Sequence, residues 1–393
     1  KFLKTVERNI QSKQWREHLL KHFKTTLNTM ANLKKVLIIG PFPPPITGNG
    51  LSNKVVYEGA KEKEDLIADK INTSSKNFDE SVGSFSFKKV FNAVCYNLKI
   101  HKVARADVLY ITPGQSFFGI VKYAFFIIIA KLYRKKIIVH IHGNFLHQEY
   151  DKLKKTNKMI AKKLIGAANS GIVLSKSLKK NLSPFLADEK IETVNNFFED
   201  YLAERIEDVL ENKSLEKLKI IYLSNLMMEK GIMDLLSAIE LLQKNNINYE
   251  AKIAGNIDVK IKDNILKKIS ELQHVTYLGV VESEKKKNLL LWGNVFVFPT
   301  YYKMEGQPIA LIEAMVTGNV LLSTNHAGIP EIFSEKNGCF INKRDPQDIY
   351  QKLIKINNNS NYYQEIIKHN HLYAKKKFKK ELFLDKILEI ITR

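Results

Sequence analysis

The feature that most constrains the fold of this chain is a repeated alternation of short apolar runs with longer helical patterns. Runs of this kind begin at residues 36, 107, 136 and 170, and they read VLIIG, DVLYIT, KIIVHIHG and SGIVLS. They are rich in β-branched residues and do not alternate with polar positions, which is typical of strands buried on both faces. Strands of this type with helices between them predict a doubly wound parallel sheet.

A second series with the same rhythm follows an acidic segment near residues 198–219. Its runs read KIIYLSNL, YEAKIAG, HVTYLG, NVFVFPT and VLLSTN, beginning at residues 219, 249, 274, 294 and 320. Because the chain has 393 residues and a domain usually takes about 150, two domains are expected. The predicted fold class is therefore α/β, with two doubly wound Rossmann-like domains that face each other across a cleft.

Changes in amino-acid composition along the chain indicate the domain limits. We predict a basic N-terminal extension at 1–33, a first Rossmann-like domain at 34–203, a second at 204–372, and a C-terminal amphipathic helix at 373–393. A start at Met30 would remove the extension without touching a core, so we assign no function to residues 1–29. The C-terminal helix would pack on either domain or on a membrane, and packing on a domain is the favoured interpretation.

The excess of positive charge is concentrated in the first half of the chain. The first 200 residues hold 34 basic and 17 acidic residues, and the rest hold 28 and 24. This imbalance favours an anionic partner such as a phospholipid surface, a polyprenyl phosphate, a phosphorylated saccharide or nucleic acid. A general bias towards lysine at the surface would explain the same excess, so the charge alone does not choose among these partners.

Localisation signals point to the cytoplasm. Cys95 and Cys339 form no disulfide or metal spacing, and no targeting segment is visible. The longest apolar run, residues 117–133, has 17 residues and carries two lysines, so it is too short and too charged to span a membrane. We interpret it as a buried helix between two strands, with contact to a lipid surface as the alternative.

Candidate functional residues follow the predicted strands, because ligands of parallel sheets bind beyond the carboxyl ends of the strands. Gly48 and Gly50 follow the first strand, although a Gly/Pro turn is also a common connector. His142 would project into the cleft and donate to a hydroxyl, or it would have a purely structural role; His140 lies deeper and is assigned to the core. Lys230 opens a helix, where a bound anion would explain it, as would simple exposure of its ammonium group.

The segment EGQPIALIEAM at residues 305–315 gives the strongest signal. Glu305 and Gly306 lie in a loop, Pro308 marks a helix start, and Glu313 falls within the helix. A helix start favours phosphate, and the two acids would bind the hydroxyl groups at opposite ends of one ligand. Since Glu313 sits in an apolar stretch, where an unpaired carboxylate is costly, the pattern indicates a nucleotide-sugar site rather than a surface acid pair.

Together these motifs resemble a known family. EGQPIALIEAM is similar to the motif of two glutamates separated by seven residues in retaining glycosyltransferases of the GT-B fold, the family-4 type. GPFPPPITGNG, HIHG and LSNLMMEKG accompany it in the family's order, so the resemblance runs from about residue 34 to the C-terminus. It implies transfer of a hexose-type sugar, with retention, from a nucleotide-diphosphate sugar. UDP is the expected nucleotide, and the acceptor would be a saccharide or lipid-linked saccharide in cell-envelope polysaccharide synthesis.

The resemblance also implies residue roles. Glu305 would contact the donor sugar and Glu313 the ribose, Lys230 would neutralise the departing pyrophosphate, and His142 would face the transferred sugar. The remaining donor-binding residues implied are Gly48, Gly50, Asn225, Gly306, Gln307, Pro308, Ile309 and Ala310. Asn225 stands where the family often has arginine, so Lys230 would carry more of the phosphate charge, or another basic residue would replace the arginine. No metal and no cofactor are expected, because no Asp-x-Asp pair stands at a strand end.

Other functions remain open at this point. A nucleotide-sugar epimerase shares the fold but would need further acids and histidines in the cleft. A nucleic-acid or anion-binding protein would explain the charge, yet the lysines are not interleaved with stacking aromatics, so no nucleic-acid partner is expected. A catalytically silent relative that binds nucleotide is the third alternative, because of Asn225. The predicted location is cytoplasmic, with peripheral association at the inner membrane face as an extension of that prediction.

Overall fold

Six parallel strands form the first sheet of the computed structural model, which describes residues 33–74 and 99–393. The strands are β1 (Lys34–Gly40), β2 (Leu66–Asn72), β3 (Val108–Ile111), β4 (Lys136–Ile141), β5 (Ser170–Val173) and β6 (Ile191–Thr193). Their order across the sheet is β2-β1-β3-β4-β5-β6. All four runs predicted in this half are strands, and the predictions are confirmed.

The second sheet also has six parallel strands. They are β7 (Leu218–Leu223), β8 (Tyr249–Ala254), β9 (Val275–Tyr277), β10 (Val295–Phe298), β11 (Val320–Thr324) and β12 (Gly338–Ile341). Their order is β12-β11-β10-β7-β8-β9. The two sheets confirm the predicted fold class. The predicted boundary at residues 203/204 falls between the last strand of one sheet and the first strand of the other, while the domain limits themselves stay predictions.

Helices connect the strands and cover both faces of each sheet. Those of the first half are α1 (Gly48–Glu62), α2 (His101–Arg105), α3 (Phe117–Val121), α4 (Ala124–Leu132), α5 (Leu146–Lys152) and α6 (Lys155–Ile165). Those that follow are α7 (Glu207–Glu211), α8 (Ile232–Lys244), α9 (Lys262–Ser270), α10 (Ser283–Trp292), α11 (Ile309–Val316), α12 (Pro346–Asn358), α13 (Ser360–Lys377) and α14 (Lys380–Thr392). Among the described residues, no helix is long and apolar enough to cross a membrane.

Strand β1 shows why its sequence does not alternate between polar and apolar residues. Leu37 and Ile39 belong to the core on one face of the first sheet, together with residues of α4 and α6. Val36 and Ile38 belong to the core on the other face, together with residues of α1 and α14. Because both faces are covered, every strand position from residue 36 to 39 is buried, and an apolar side chain is favoured at each.

The C-terminal helix packs on the first sheet, which settles one alternative. Phe383 and Ile387 of α14 lie in the core beside β1, and the rings of Phe383 and Phe197 are 4.7 Å apart. A single helix over 373–393 is wrong, because α13 ends at Lys377 and α14 begins at Lys380. The break occurs where the N–H of Phe198 donates to the carbonyl of Phe378 (3.1 Å), which draws this backbone out of the helix. The predicted extension, apart from residue 33, lies outside the described residues.

Candidate active site

Two points in the fold bring the predicted residues together. Strand β1 lies between β2 and β3, so the chain order of the strands reverses direction across the sheet at β1. The same reversal occurs at β7, which lies between β8 and β10. Ligands of open parallel sheets bind at such points, beyond the carboxyl ends of the strands. The loops after β1, β7 and β10 carry most of the predicted residues, and the loop after β4 carries His142.

The two halves of the chain touch at these loops. A Cβ on Gly306 would lie 2.1 Å from the carbonyl oxygen of His142, so only glycine allows these two backbones to approach so closely. A Cβ on Gly48 would lie 3.7 Å from Cδ1 of Ile309. The side-chain amide of Gln115 donates to the carbonyl of Met304 (3.2 Å) across the same junction. Gly48, His142 and the 305–315 motif therefore meet in one place.

The motif helix α11 begins close to the predicted position. Pro308 is its N-cap residue, with φ −66°, and the first helical residue is Ile309. Within the described part of the chain, the backbone N–H groups of Ile309 and Ala310 donate to no acceptor. Free N–H groups at a helix start attract anions, so the predicted place for a phosphate has the donors it needs.

Lys230 and Glu305 form a buried ion pair. The Lys230 Nζ lies 2.6 Å from Oε2 of Glu305, and the two side chains are 13% and 10% exposed. Thr300 donates its hydroxyl to the same carboxylate oxygen at 3.2 Å. The ammonium also lies 4.9 Å from the ring centre of Tyr302, and burial, together with Glu305 and then Glu229, raises the pKa of that phenol to about 12. Within the described part of the chain, this cation thus pairs with one carboxylate, that of a residue four positions before the start of α11.

Gly231 allows the turn that places Lys230. Its φ is +76°, and a Cβ there would lie 2.3 Å from the carbonyl oxygen of Pro299. A side chain at this position would be strained in its backbone and would overlap the neighbouring loop. The Lys-Gly pair therefore brings the loop after β7 directly against the loop after β10.

Glu313 has protein partners that the sequence did not reveal. It is 3% exposed, and its Oε1 lies 2.5 Å from Nζ of Lys286, which is also 2.9 Å from Oε2 of Glu199. Burial raises the pKa of Glu313, while Lys286 acts in the opposite direction. Burial disfavours the charge on Lys286, but the two carboxylates outweigh this effect and raise its pKa. Lys286 therefore already pairs the Glu313 carboxylate, so the cost of an unpaired buried carboxylate does not by itself require a ligand here.

His142 is neutral at physiological pH. Burial lowers its pKa to about 3, and its ring lies 3.9 Å from that of His140. His140 is fully buried and bonded through Nδ1 to the hydroxyl of Tyr110 (2.6 Å), which confirms its core assignment. Among the described residues, the buried Nε2 atom of His142 has no hydrogen-bond partner. A neutral imidazole with one free nitrogen is available to orient a hydroxyl group.

The remaining predicted residues lie nearby in different settings. The hydroxyl of Thr47 caps α1 by accepting from the N–H of Gly50 (3.0 Å). Asn225 follows β7, and its carbonyl accepts from the N–H of Met227 (3.0 Å) and the hydroxyl of Tyr222 (3.2 Å). Their contacts with a donor stay predictions.

The side chain of Gln307 contacts the protein rather than open space. Its Oε1 accepts from the N–H of Asn196 at 3.0 Å, and its Nε2 donates to Asn195 at 3.0 Å. Glu331 makes another connection between the halves, accepting from the N–H groups of Lys176 and Ser177 at 2.8 Å each. The sequence could not reveal these contacts, because the partners lie more than 100 residues apart.

A protein-family model matches most of the second half of the chain. Residues 200–372 match the model of the family described as glycosyl transferases group 1. The chain is 30% identical over 142 residues to the putative colanic acid biosynthesis glycosyltransferase WcaL of Escherichia coli strain K12, covering 35% of each chain. It is 26% identical over 147 residues to the amylovoran biosynthesis glycosyltransferase AmsK of Erwinia amylovora, covering 36% of each. The matched part is therefore about a third of the length of these relatives.

Comparison with solved structures extends over nearly the whole fold. Anabaena Alr3699/HepE in complex with UDP-glucose matches with a TM-score of 0.70 and 14% identity, covering 91% of this chain and 99% of that one. A sucrose-phosphate synthase from Thermosynechococcus elongatus matches with a TM-score of 0.69 at the same identity, covering 91% and 98%. At this identity the likeness concerns the fold, and it places both sheets in a GT-B arrangement.

Proposed function

We propose that this chain, whose residues 200–372 match the model of the family described as glycosyl transferases group 1, is a retaining glycosyltransferase. Its donor would be a hexose-type sugar linked to a nucleoside diphosphate, with UDP as the nucleotide. Its acceptor would be a hydroxyl group of a saccharide or lipid-linked saccharide used in cell-envelope polysaccharide synthesis. The observation that carries this proposal is the buried pair that Lys230 forms with Glu305, in the loop that leads into α11, whose first N–H groups are free.

The ion pair explains how the site would receive a diphosphate. Without a ligand, Lys230 and Glu305 neutralise each other at 2.6 Å. A diphosphate at the start of α11 offers the ammonium a second anion and leaves Glu305 free to accept hydrogen bonds from the sugar hydroxyls. As the diphosphate leaves, its negative charge grows next to Lys230, and a cation held in place there is worth several kcal/mol of barrier.

The chemical step follows from the residues in the cleft. The bond between the anomeric carbon and the diphosphate oxygen breaks, and the acceptor oxygen bonds to the same face of that carbon. The acceptor proton passes to the departing diphosphate, so the mechanism needs no carboxylate nucleophile at glycosidase spacing. His142 is neutral at pH 7, because its pKa is about 3. It would orient a hydroxyl of the transferred sugar rather than stabilise charge.

The nucleoside would be held by Glu313. Its partner Lys286 favours the ionised carboxylate against the effect of burial, and an ionised carboxylate accepts hydrogen bonds from ribose hydroxyls. We further propose turnover without a divalent cation, because Lys230 and the start of α11 supply positive charge to the diphosphate.

The named relatives support the choice of substrates. WcaL and AmsK are named for the synthesis of colanic acid and amylovoran, and the HepE structure contains UDP-glucose in this fold. We carry both classes over to this chain as parts of the proposal.

The test is nucleotide release from a panel of UDP-, GDP- and ADP-sugars, with and without a chelator. We expect one donor to be consumed without added metal, and Glu305→Ala and Lys230→Ala to lose that activity. Lys217→Ala is the matched control, because Lys217 forms an exposed ion pair with Glu250. The anomeric configuration of the product, read by NMR, tests retention.

Each alternative has its own outcome in this assay. An epimerase would isomerise the donor sugar without releasing nucleotide. A silent relative would bind nucleotide without turnover. Retention on DNA that falls with salt, with no response to any nucleotide-sugar, would favour a nucleic-acid-binding protein.

A further inference from the structure

An exposed apolar surface lies on the helices that cover one face of the first sheet. Its residues on and beside α3 and α4 are between 48% and 72% exposed, and those on α6 are 55% and 40% exposed. We call this set the apolar face; its members are Phe118, Phe125, Ile128, Leu132, Tyr133, Met159 and Ile160. Helix α6 packs against both α3 and α4, so these side chains belong to one group of adjacent helices.

Helix α4 has one buried face and one exposed face, and both faces are apolar. Phe126, Ile127 and Ala130 point into the core and are at most 2% exposed. Phe125, Ile128 and Leu132 have helical spacing on the opposite side and stay open. A helix that is apolar all round normally has its outer face covered as well. The interpretation of residues 117–133 as one buried helix is therefore wrong in two respects. The segment forms two helices, α3 and α4, and only one face of α4 is buried.

The segment that carries the apolar face is strongly basic. Residues 117–165 contain 11 lysines and arginines but only two acids, Glu149 and Asp151. Seven of these cations are exposed, and within the described part of the chain none of the seven is in an ion pair. They are Lys131, Arg134, Lys152, Lys154, Lys155, Lys162 and Lys163.

We propose that the apolar face and its cations form a docking surface for an anionic phospholipid bilayer. Aromatic and aliphatic side chains enter the boundary between head groups and acyl chains, while lysines and arginines bind the anionic head groups. The seven exposed cations of residues 117–165, against two acids, complement the negative head groups of such a bilayer. Since no described helix can cross a membrane, the association is peripheral.

The position of this surface relates it to the cleft. Gln115, which contacts the second half of the chain at Met304, precedes α3 by two residues, and Phe118 of the apolar face is the second residue of that helix. A docked bilayer would thus lie beside the opening of the cleft, where a lipid-linked acceptor would arrive. The docking surface goes beyond the proposed transferase function and does not depend on it, because vesicle binding is measured without any nucleotide-sugar.

The experiment is flotation of the full chain with vesicles. We expect binding to vesicles that contain about one third phosphatidylglycerol, weaker binding to pure phosphatidylcholine, and loss of the difference at high salt. Absence of binding to the anionic vesicles would overturn the proposal. So would equal binding to both lipids, because the cations would then have no role.

The apolar contribution is tested by Phe125→Ser/Leu132→Ser. These side chains are exposed, so folding should be unaffected, and vesicle binding should fall about tenfold or more. The matched control is Val259→Ser/Leu372→Ser, which alters side chains that are 67% and 66% exposed in the second half of the chain. An equal loss in both double variants would refute the assignment of this surface. So would a change from dimer to monomer in light scattering with vesicle binding intact, because the surface would then join two copies of this chain.

The charge contribution is tested by Lys162→Glu/Lys163→Glu on α6, with Lys262→Glu/Lys267→Glu on α9 as the matched control of equal net charge. All four lysines are exposed. Only the α6 variant should lose binding to anionic vesicles, by about tenfold or more. If both reversals weaken binding equally, overall charge rather than this surface is responsible. Donor consumption should be unchanged in all these variants, so a failed docking surface and a failed transferase proposal give different results.

Discussion

Replacing Lys286 by methionine should expose the cost of keeping Glu313 buried. Methionine fills much of the space of lysine but removes the cation 2.5 Å from the Glu313 carboxylate. Glu313 is only 3% exposed, so it cannot regain its hydration, whereas the side chain of Glu199 is 31% exposed and can. Removing one partner of a buried ion pair typically costs about 3–5 kcal/mol.

Proton uptake by Glu313 limits the part of that cost that comes from burying its unpaired charge. The ordinary pKa of a glutamate carboxyl is 4.5. Since pH 7 lies about 2.5 units above this pKa, holding the carboxyl protonated there costs roughly 3.4 kcal/mol of free energy. At pH 5 the same step costs less than about 1 kcal/mol. In Lys286→Met the pKa of Glu313 in the folded protein rises further above that of the unfolded chain. The deficit in the free energy of unfolding relative to the native sequence should therefore grow from pH 5 to pH 8.

Urea unfolding followed by circular dichroism at pH 5, 6, 7 and 8 measures this deficit. Lys285→Met is the matched control, because Lys285 is an exposed neighbour on the same helix. Lys286→Met/Glu313→Gln should regain most of the stability and lose the pH dependence, since an amide carries no charge to bury. If Lys286→Met is as stable as Lys285→Met at pH 8, or if the double variant is as unstable as Lys286→Met alone, the reasoning is wrong.

Three further predictions concern the cleft. His142→Gln should lower kcat/KM about a hundredfold without moving the pH profile between 6 and 8, because the pKa of His142 is about 3; a step near pH 6.5 that the substitution removes would contradict this. Gly231→Ala should lower the melting temperature well beyond Gly279→Ala, since both have positive φ but only the first Cβ would overlap a neighbouring loop; equal shifts would refute the steric argument. Glu331→Ala should increase the radius of gyration measured by X-ray scattering, because it removes a connection between the halves; the exposed Glu335→Ala is its control, and an unchanged radius would count against a connecting role.

Strands that are covered on both faces could be predicted from the sequence, and most edge strands could not. The three strands that the apolar runs did not indicate, β2, β6 and β12, all lie at a sheet edge. In β2 only Leu66 and Ile71 are buried, so its sequence lacks the continuous apolar run of a central strand. Because β2 is an edge strand that is covered incompletely, its composition carries a weaker signal.

Site residues could be predicted where they belong to a local motif. The motif around Glu305, together with the Lys-Gly pair after β7, placed both members of the ion pair. Lys286 could not be predicted, because it stands in a run of three lysines on α10 that resembles a solvated helix face. Glu199 lies 87 residues before it, and only the tertiary fold brings the two together.

Helix α14 has a consequence for synthesis of the chain. It completes the core beside β1 with Phe383, Ile387 and Ile391, yet about 190 residues separate it from the end of β6. At bacterial or eukaryotic translation rates, that distance corresponds to about 10–40 s. The first sheet would thus leave the ribosome with this face covered only in part, by α1, and it would stay so until the second sheet had been made. The order of the elements therefore leaves apolar residues of β1 exposed during synthesis, until a chaperone or the second half of the chain covers them.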